Sequence, residues 1–91
     1  NKTSIPVFFM LVFINKIKLP YPVEFGEHSP HKISLNKEIL NTVYLKYLNG
    51  ENLNPIIIDE NYQLVKGYYR LIAQKYMGRL YVECEKNFEN P

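Results

Sequence analysis

"PIIIDENYQLVKGYYRLIAQKYMGRLYVEC", residues Pro55–Cys84, changes its periodicity repeatedly within a short span. Pro55 opens "PIIID", a run of β-branched residues that reads as a buried strand. "ENY" is a turn, and "QLV" resumes an extended segment, so the two runs form a hairpin. "KG" is a second turn. A helix is then expected from about Tyr68 to Tyr76, with Tyr69, Ile72, Ala73 and Tyr76 spaced for one apolar face. Gly78 closes it, and "RLYVEC" returns as a strand able to lie beside "PIIID". A strand–helix–strand crossover prefers parallel pairing, whereas a hairpin is antiparallel, so the sheet is expected to be mixed. The class is α+β, a small mixed sheet with two main helices.

The first of those helices lies upstream. Ile39, Val43 and Tyr47 recur at four-residue steps, and Leu40, Tyr44 and Leu48 form the neighbouring row. The spacing predicts a helix over about Leu35–Leu48, with Ser34 as its N-cap and Gly50 as its stop. Between Tyr21 and Lys32 the breakers Pro22, Gly26 and Pro30 mark a loop. His28 and His31 fall in or beside it, and no cysteine or close carboxylate set joins them as a metal site. "IKLP", Ile17–Pro20, is a short extended piece. "IPVFFMLVFI", Ile5–Ile14, is too short to cross a bilayer, which takes about 20 residues. A signal peptide is the rival reading, because Lys2 precedes the run. No small-residue cleavage site follows, Pro6 interrupts the start, and Val, Ile and Phe dominate, which favours a buried strand. If that strand lies at a sheet edge, it is a surface for pairing with a second copy, a homodimer.

Ninety-one residues make one domain, 1–91, with 1–14 as an N-terminal strand extension and 85–91 as a tail. Hydrophobic content of 46% and charged content of 22% are ordinary for a globular chain. A net charge of +2 does not diagnose nucleic-acid binding. Its distribution says more: from Asn61 to Val82 there are Lys66, Arg70, Lys75 and Arg79 and no acid. Such a stretch attracts anions in a nearly neutral molecule, although a solvated helix face reads the same way. The single Cys84 rules out an internal disulfide framework and is compatible with a reducing, cytoplasmic setting. Nothing near it in sequence would lower its pKa, so it reads as a packing residue.

The chemistry concentrates at Lys66, Gly67, Tyr68, Tyr69 and Arg70. The first turn of a helix exposes backbone N–H groups and the positive end of the helix dipole, which suits a phosphate. Gly67 permits close approach and positive φ. Arg70, three residues on, is placed to fold back onto the same oxygens, and Lys66 adds a point charge. One of the two tyrosine rings would pack inward and the other would lie against a base or ribose.

As a whole, the stretch from Pro55 to Cys84 resembles the N-terminal core of the ParB/sulfiredoxin-like superfamily. There a proline-led strand, a turn and a second strand lead into a Gly-x-x-Arg-x-x-Ala helix, here Gly67, Arg70 and Ala73. The upstream "IKLP", loop and helix ending in "NG" are also similar, so the likeness covers about Ile17 to Cys84. The resemblance implies a nucleotide- or phosphate-handling site at Gly67–Arg70. ParB-like members bind CTP and act in DNA partition, and some relatives were described as nucleases. Sulfiredoxin and a serine kinase use a similar scaffold with ATP or ADP. Two departures stand out. Lys66 occupies a position often acidic in the family, and Tyr68 and Tyr69 stand where sulfiredoxin has its catalytic cysteine beside a histidine. A partition protein would continue into a second phosphate motif and a helix-turn-helix domain, and this sequence stops at Pro91 before them.

Binding of a nucleotide or nucleic-acid phosphate, with DNA among the partners and no membrane, is the favoured expectation, with catalysis left open. An enzyme on the same scaffold, a phosphotransferase or nuclease, needs carboxylates to hold Mg²⁺ or act as base, and Glu24, Glu27, Glu38, Asp59 and Glu60 are the nearest in sequence. A remnant that kept the fold and lost the ligand is the third reading.

Overall fold

The computed structural model describes residues 7–27 and 30–87. In chain order the elements are β1 (Val7–Phe13), a 3-10 turn (Ile14–Lys16), β2 (Val23–Phe25), β3 (Ile33–Leu35), α1 (Lys37–Leu48), β4 (Ile56–Ile58), β5 (Leu64–Lys66), α2 (Tyr68–Tyr76) and β6 (Tyr81–Asn87). The main sheet has the order β1-β6-β4-β5. β1 and β6 are antiparallel, β4 and β6 parallel, and β4 and β5 antiparallel, which makes the mixed sheet and two helices expected of the α+β class.

The hairpin reverses at Asp59. Its Oδ1 accepts the amides of Asn61 and Gln63, and this holds Tyr62 at φ 64°. On the inner face of the sheet Ile56, Ile58, Val82 and Cys84 are fully buried, and Leu71 of α2 packs onto them. Burying each branched aliphatic stabilises by about 1.5–3 kcal/mol. A second cluster, Leu35, Leu40, Tyr47, Ile72 and Ala73, joins α2 to α1 and β3. Helix α2 is thus the middle layer, and Tyr68 touches both clusters. Lys86 also points inward from β6. Its stem is buried and its ammonium rests 3.9 Å from the Tyr62 ring centroid. The hydrogen bond with Lys86, and then the charge of Lys16, draw the Tyr62 hydroxyl below its usual pKa of 10.0.

Several expectations need correction. The N-cap of α1 is Asn36, whose Oδ1 accepts the Glu38 and Ile39 amides, so the helix starts at Lys37. Ser34 instead lies in β3 and donates to the Glu27 carbonyl. The stretch read as a loop contains β2, paired in parallel with β3. Three-residue strands carry too little periodicity to stand out. Strand β1 is only half buried: among the described residues it is the end strand of the sheet, with Phe9 and Leu11 70% and 67% exposed. Tyr76 is exposed rather than part of the apolar face of α2, while Leu71 and Gln74 are buried, because a helix between two layers is covered on two sides. On α1, Ile39 and Leu48 are exposed and Leu40 and Tyr47 carry the packing. Strand β6 runs on to Asn87, so Glu85–Asn87 belong to the sheet rather than to a tail. The signal-peptide reading at Lys2, the start of the first apolar run, His28 and the last residues of the tail lie outside the described residues.

Candidate functional site

Lys66 ends β5, directly opposite Ile57 of β4, and the chain must turn at once into α2. Gly67 makes that turn at φ 103° and ψ 34°. A side chain there is excluded twice over. The φ is one that L residues rarely adopt, and a Cβ would lie 2.8 Å from Cγ2 of the fully buried Ile56. Because Gly67 has no side chain, nothing caps α2 from its N-cap position, and its first turn contains no acid. The Gly67 carbonyl accepts the Leu71 amide at 2.8 Å, which leaves the amides of Tyr68, Tyr69 and Arg70 without an intrahelical acceptor.

This helix start opens on a groove of about 620 Å³. One wall is the stretch Val65–Arg70, and the others are β3, Val43 and Lys46 of α1, and Leu53. Ile33, Leu35, Val43, Leu53 and Val65 make the lining mainly apolar, while Lys46, Lys66 and Arg70 add cations. All five residues singled out from sequence therefore line one concavity. Lys46 and Leu53 were not singled out. Val43 and Lys46 are three apart on one helix, so the shared face was available as a signal. The approach of Leu53, from the segment before β4, was not.

Arg70 makes contacts that sequence reasoning missed. Its Nη1 donates to the carbonyls of Asn54 and Pro55, at 2.8 and 3.0 Å. These bonds clasp the chain as it enters β4. Nη2 lies beside Gly67, 3.2 Å from where a Cβ would stand. The guanidinium is thereby pinned next to the glycine. Tyr69 is likewise engaged: its hydroxyl accepts the Asn36 amide at 2.7 Å and ties the start of α2 to the start of α1. Tyr69 also borders a second hollow of about 550 Å³, lined in part by Phe25, Asn36 and Lys37.

At the other end of α2 the buried Gln74 spans two partners. Its Nε2 donates to the Arg70 carbonyl, and its Oε1 accepts Arg79 Nη1 at 2.7 Å. The Arg79 guanidinium lies 5.0 Å from the Tyr47 ring centroid. Burial pushes the Tyr47 hydroxyl above its usual 10.0, opposed by the charges of Arg70 and Arg79. Cys84 is fully buried, and desolvation raises its thiol from 9.0 to about 11. Of the candidate carboxylates, Asp59 is spent on its turn and Glu24 pairs with Lys32 at 2.9 Å. Among the described residues no group of three or more histidines, cysteines or carboxylates is placed to hold a metal ion.

Against solved structures the architecture is familiar. One structure of a pNOB8-like ParB N-domain superposes with a TM-score of 0.68 over 98% of this chain, at 22% identity. The fold is that of a ParB N-domain. A second structure of the pNOB8-like ParB N-domain matches with a TM-score of 0.58 over 99% of the chain, at 20% identity. The chain spans about a third of the length of those two chains, 33% and 31%. No family model matches the sequence, and no curated protein matches it. The likeness is therefore one of backbone fold. Among the described residues no helix is long and apolar enough to cross a membrane.

Proposed function

We propose that this chain is a ParB-like module that binds a phosphate of a nucleotide or nucleic acid at the start of α2. The observation that carries the reading is the acid-free, glycine-opened helix N-terminus lying in the wall of an apolar groove with Lys46, Lys66 and Arg70 around it. Phosphate oxygens would accept from the amides of Tyr68, Tyr69 and Arg70, where the helix dipole favours negative charge. The carbonyl clasp on Nη1 holds Arg70 in place and leaves Nη2 on the glycine side, so little order has to be created on binding. Lys46 and Lys66 supply point charges from the exposed rim. Tyr68 and the apolar lining suit a base or a sugar face, and CTP and ATP are the first ligands to try, with and without Mg²⁺. Nucleic-acid phosphate is the same chemistry offered by a polymer. The reading locates the protein in the cytoplasm, with its buried thiol reduced.

The test is a thermal-shift and calorimetric screen of CTP, ATP, ADP and a short DNA duplex. Lys46→Glu and Lys66→Glu serve as variants, since both side chains are exposed. A ligand present at 100 times its Kd stabilises by about 2.7 kcal/mol, a rise of about 10 °C or more for a domain this small. Charge reversal should weaken binding and reduce its salt dependence. No binding of any of these ligands, or binding by both variants as tight as that of the wild type, would refute the proposal.

A further inference from the structure

The two edges of the main sheet are treated differently. At the β5 edge the chain doubles back: the Lys18 amide donates to the Tyr62 carbonyl, and the Lys18 carbonyl accepts the Leu64 amide, both at 2.8 Å. At the other edge β1, among the described residues, pairs on one side alone, with β6. Natural sheets protect an open edge with lysines, prolines, bulges or a very short strand. β1 has none of these: Val7–Phe13 is seven residues long, uncharged, without proline, and in unbroken register with β6.

We infer that β1 is a dimerisation edge, pairing antiparallel with β1 of a second copy to make one continuous eight-stranded sheet from two four-stranded ones. Geometry narrows the register. Residues directly opposite one another in an antiparallel pair share a sheet face. A two-fold axis normal to the sheet keeps the open faces of both copies on the same side, so the odd-numbered residues of β1, Phe9, Leu11 and Phe13 among them, must oppose odd-numbered residues of the second copy. Full overlap of the seven residues puts Met10 on the axis and Phe9 opposite Leu11 of the second copy, twice. Two of the most exposed large apolar side chains then cover each other.

Charge selects this arrangement over packing of the open faces. Those faces carry Glu83 and Glu85 on β6, beside Leu11 and Phe9. Stacked faces would bring the two acidic rows within about 10 Å of each other. Edge pairing separates them by three strand spacings, roughly 14 Å, beyond the Debye length of about 8 Å in physiological salt. The groove at Gly67 follows β5, at the far edge, so both grooves stay open in the dimer and the inference stands apart from the ligand reading.

Sedimentation equilibrium of the 91-residue chain across a concentration series tests it, with circular dichroism melts to confirm that each variant is folded. The wild type should rise with concentration from 10.8 kDa toward twice that mass. Phe9→Lys with Leu11→Lys sets lysine opposite lysine twice and should weaken association tenfold or more. Phe9→Lys with Leu11→Glu sets opposite charges against each other in the same register and should recover most of it. A wild type that stays monomeric at its highest soluble concentration overturns the inference, as does a double-lysine variant that associates like the wild type. A charge-swapped variant no better than the double lysine overturns the register.

Discussion

Replacing Gly67 with alanine tests whether the turn into α2 is built around the absence of a side chain. Two costs combine. Holding a non-glycine residue in the left-handed region costs about 1–2 kcal/mol. The new Cβ would also lie 2.8 Å from Cγ2 and 3.1 Å from Cβ of Ile56, which is fully buried in the sheet and has nowhere to retreat. Forcing an extra methyl into a filled core costs about 1–3 kcal/mol more. The sum, about 2–5 kcal/mol, is a large share of the roughly 5–14 kcal/mol expected of a domain of this length. It corresponds to a Tm lowered by about 10–30 °C. Gly50→Ala is the control. Gly50 also has a positive φ, 79°, but nothing stands within 4 Å of its added Cβ. It should lose the conformational part alone. Urea unfolding of the three proteins, with equal m-values, gives both numbers. If Gly67→Ala loses no more stability than Gly50→Ala, the close approach to Ile56 is not what the glycine is for, and the pinned helix start loses its foundation.

Arg70→Ala should cost about 2–4 kcal/mol in urea unfolding, because the Asn54 and Pro55 carbonyls lose a charged donor; Arg70→Lys should recover less than half, since an ammonium cannot reproduce the fork. A stability loss below 1 kcal/mol for Arg70→Ala, a threshold set by an ordinary hydrogen bond, would mean the clasp is not made in solution. Tyr69→Phe should cost about 1 kcal/mol by removing the acceptor of the Asn36 amide, and Asn36→Ala a similar amount by removing the α1 cap. The double variant, measured by the same unfolding curves, should fall short of additivity because the two groups serve one helix start. Cys84 predicts an alkaline slope. Below pH 9 the thiol is neutral in both states, and between 9 and about 11 the unfolded chain loses its proton while the buried thiol keeps it. Stability should therefore decline through that window, and the same pH series on Cys84→Ala should show a shallower decline.

Most of the element order was legible in the residues themselves. The hairpin at Pro55–Lys66, the glycine-bounded α2 and the return strand follow from local causes: β-branched runs, a left-handed turn that only glycine makes cheaply, and a helical spacing of apolar side chains. The parallel seating of β6 beside β4 is possible because β5 and α2 together make the long connection that a parallel pair needs. The candidate site was legible as a cluster for the same reason, since Lys66 to Arg70 are contiguous and a helix start displays its own amides.

What the tertiary structure alone decided concerns partners distant in sequence. Asn36 displaced Ser34 as the cap because β3 claims Ser34 and Leu35 for pairing with β2. Tyr76 turned outward because α2 is covered by the sheet on one side and by α1 on another, an arrangement that no single-helix pattern encodes. Arg70 reads as a charged ligand group in the chain, but folding brings it against two carbonyls, and carbonyls leave no mark in a sequence because every residue has one. Whether β1 is a buried strand or an edge depends on which strand ends the sheet, and that is settled by topology rather than by the composition of the strand.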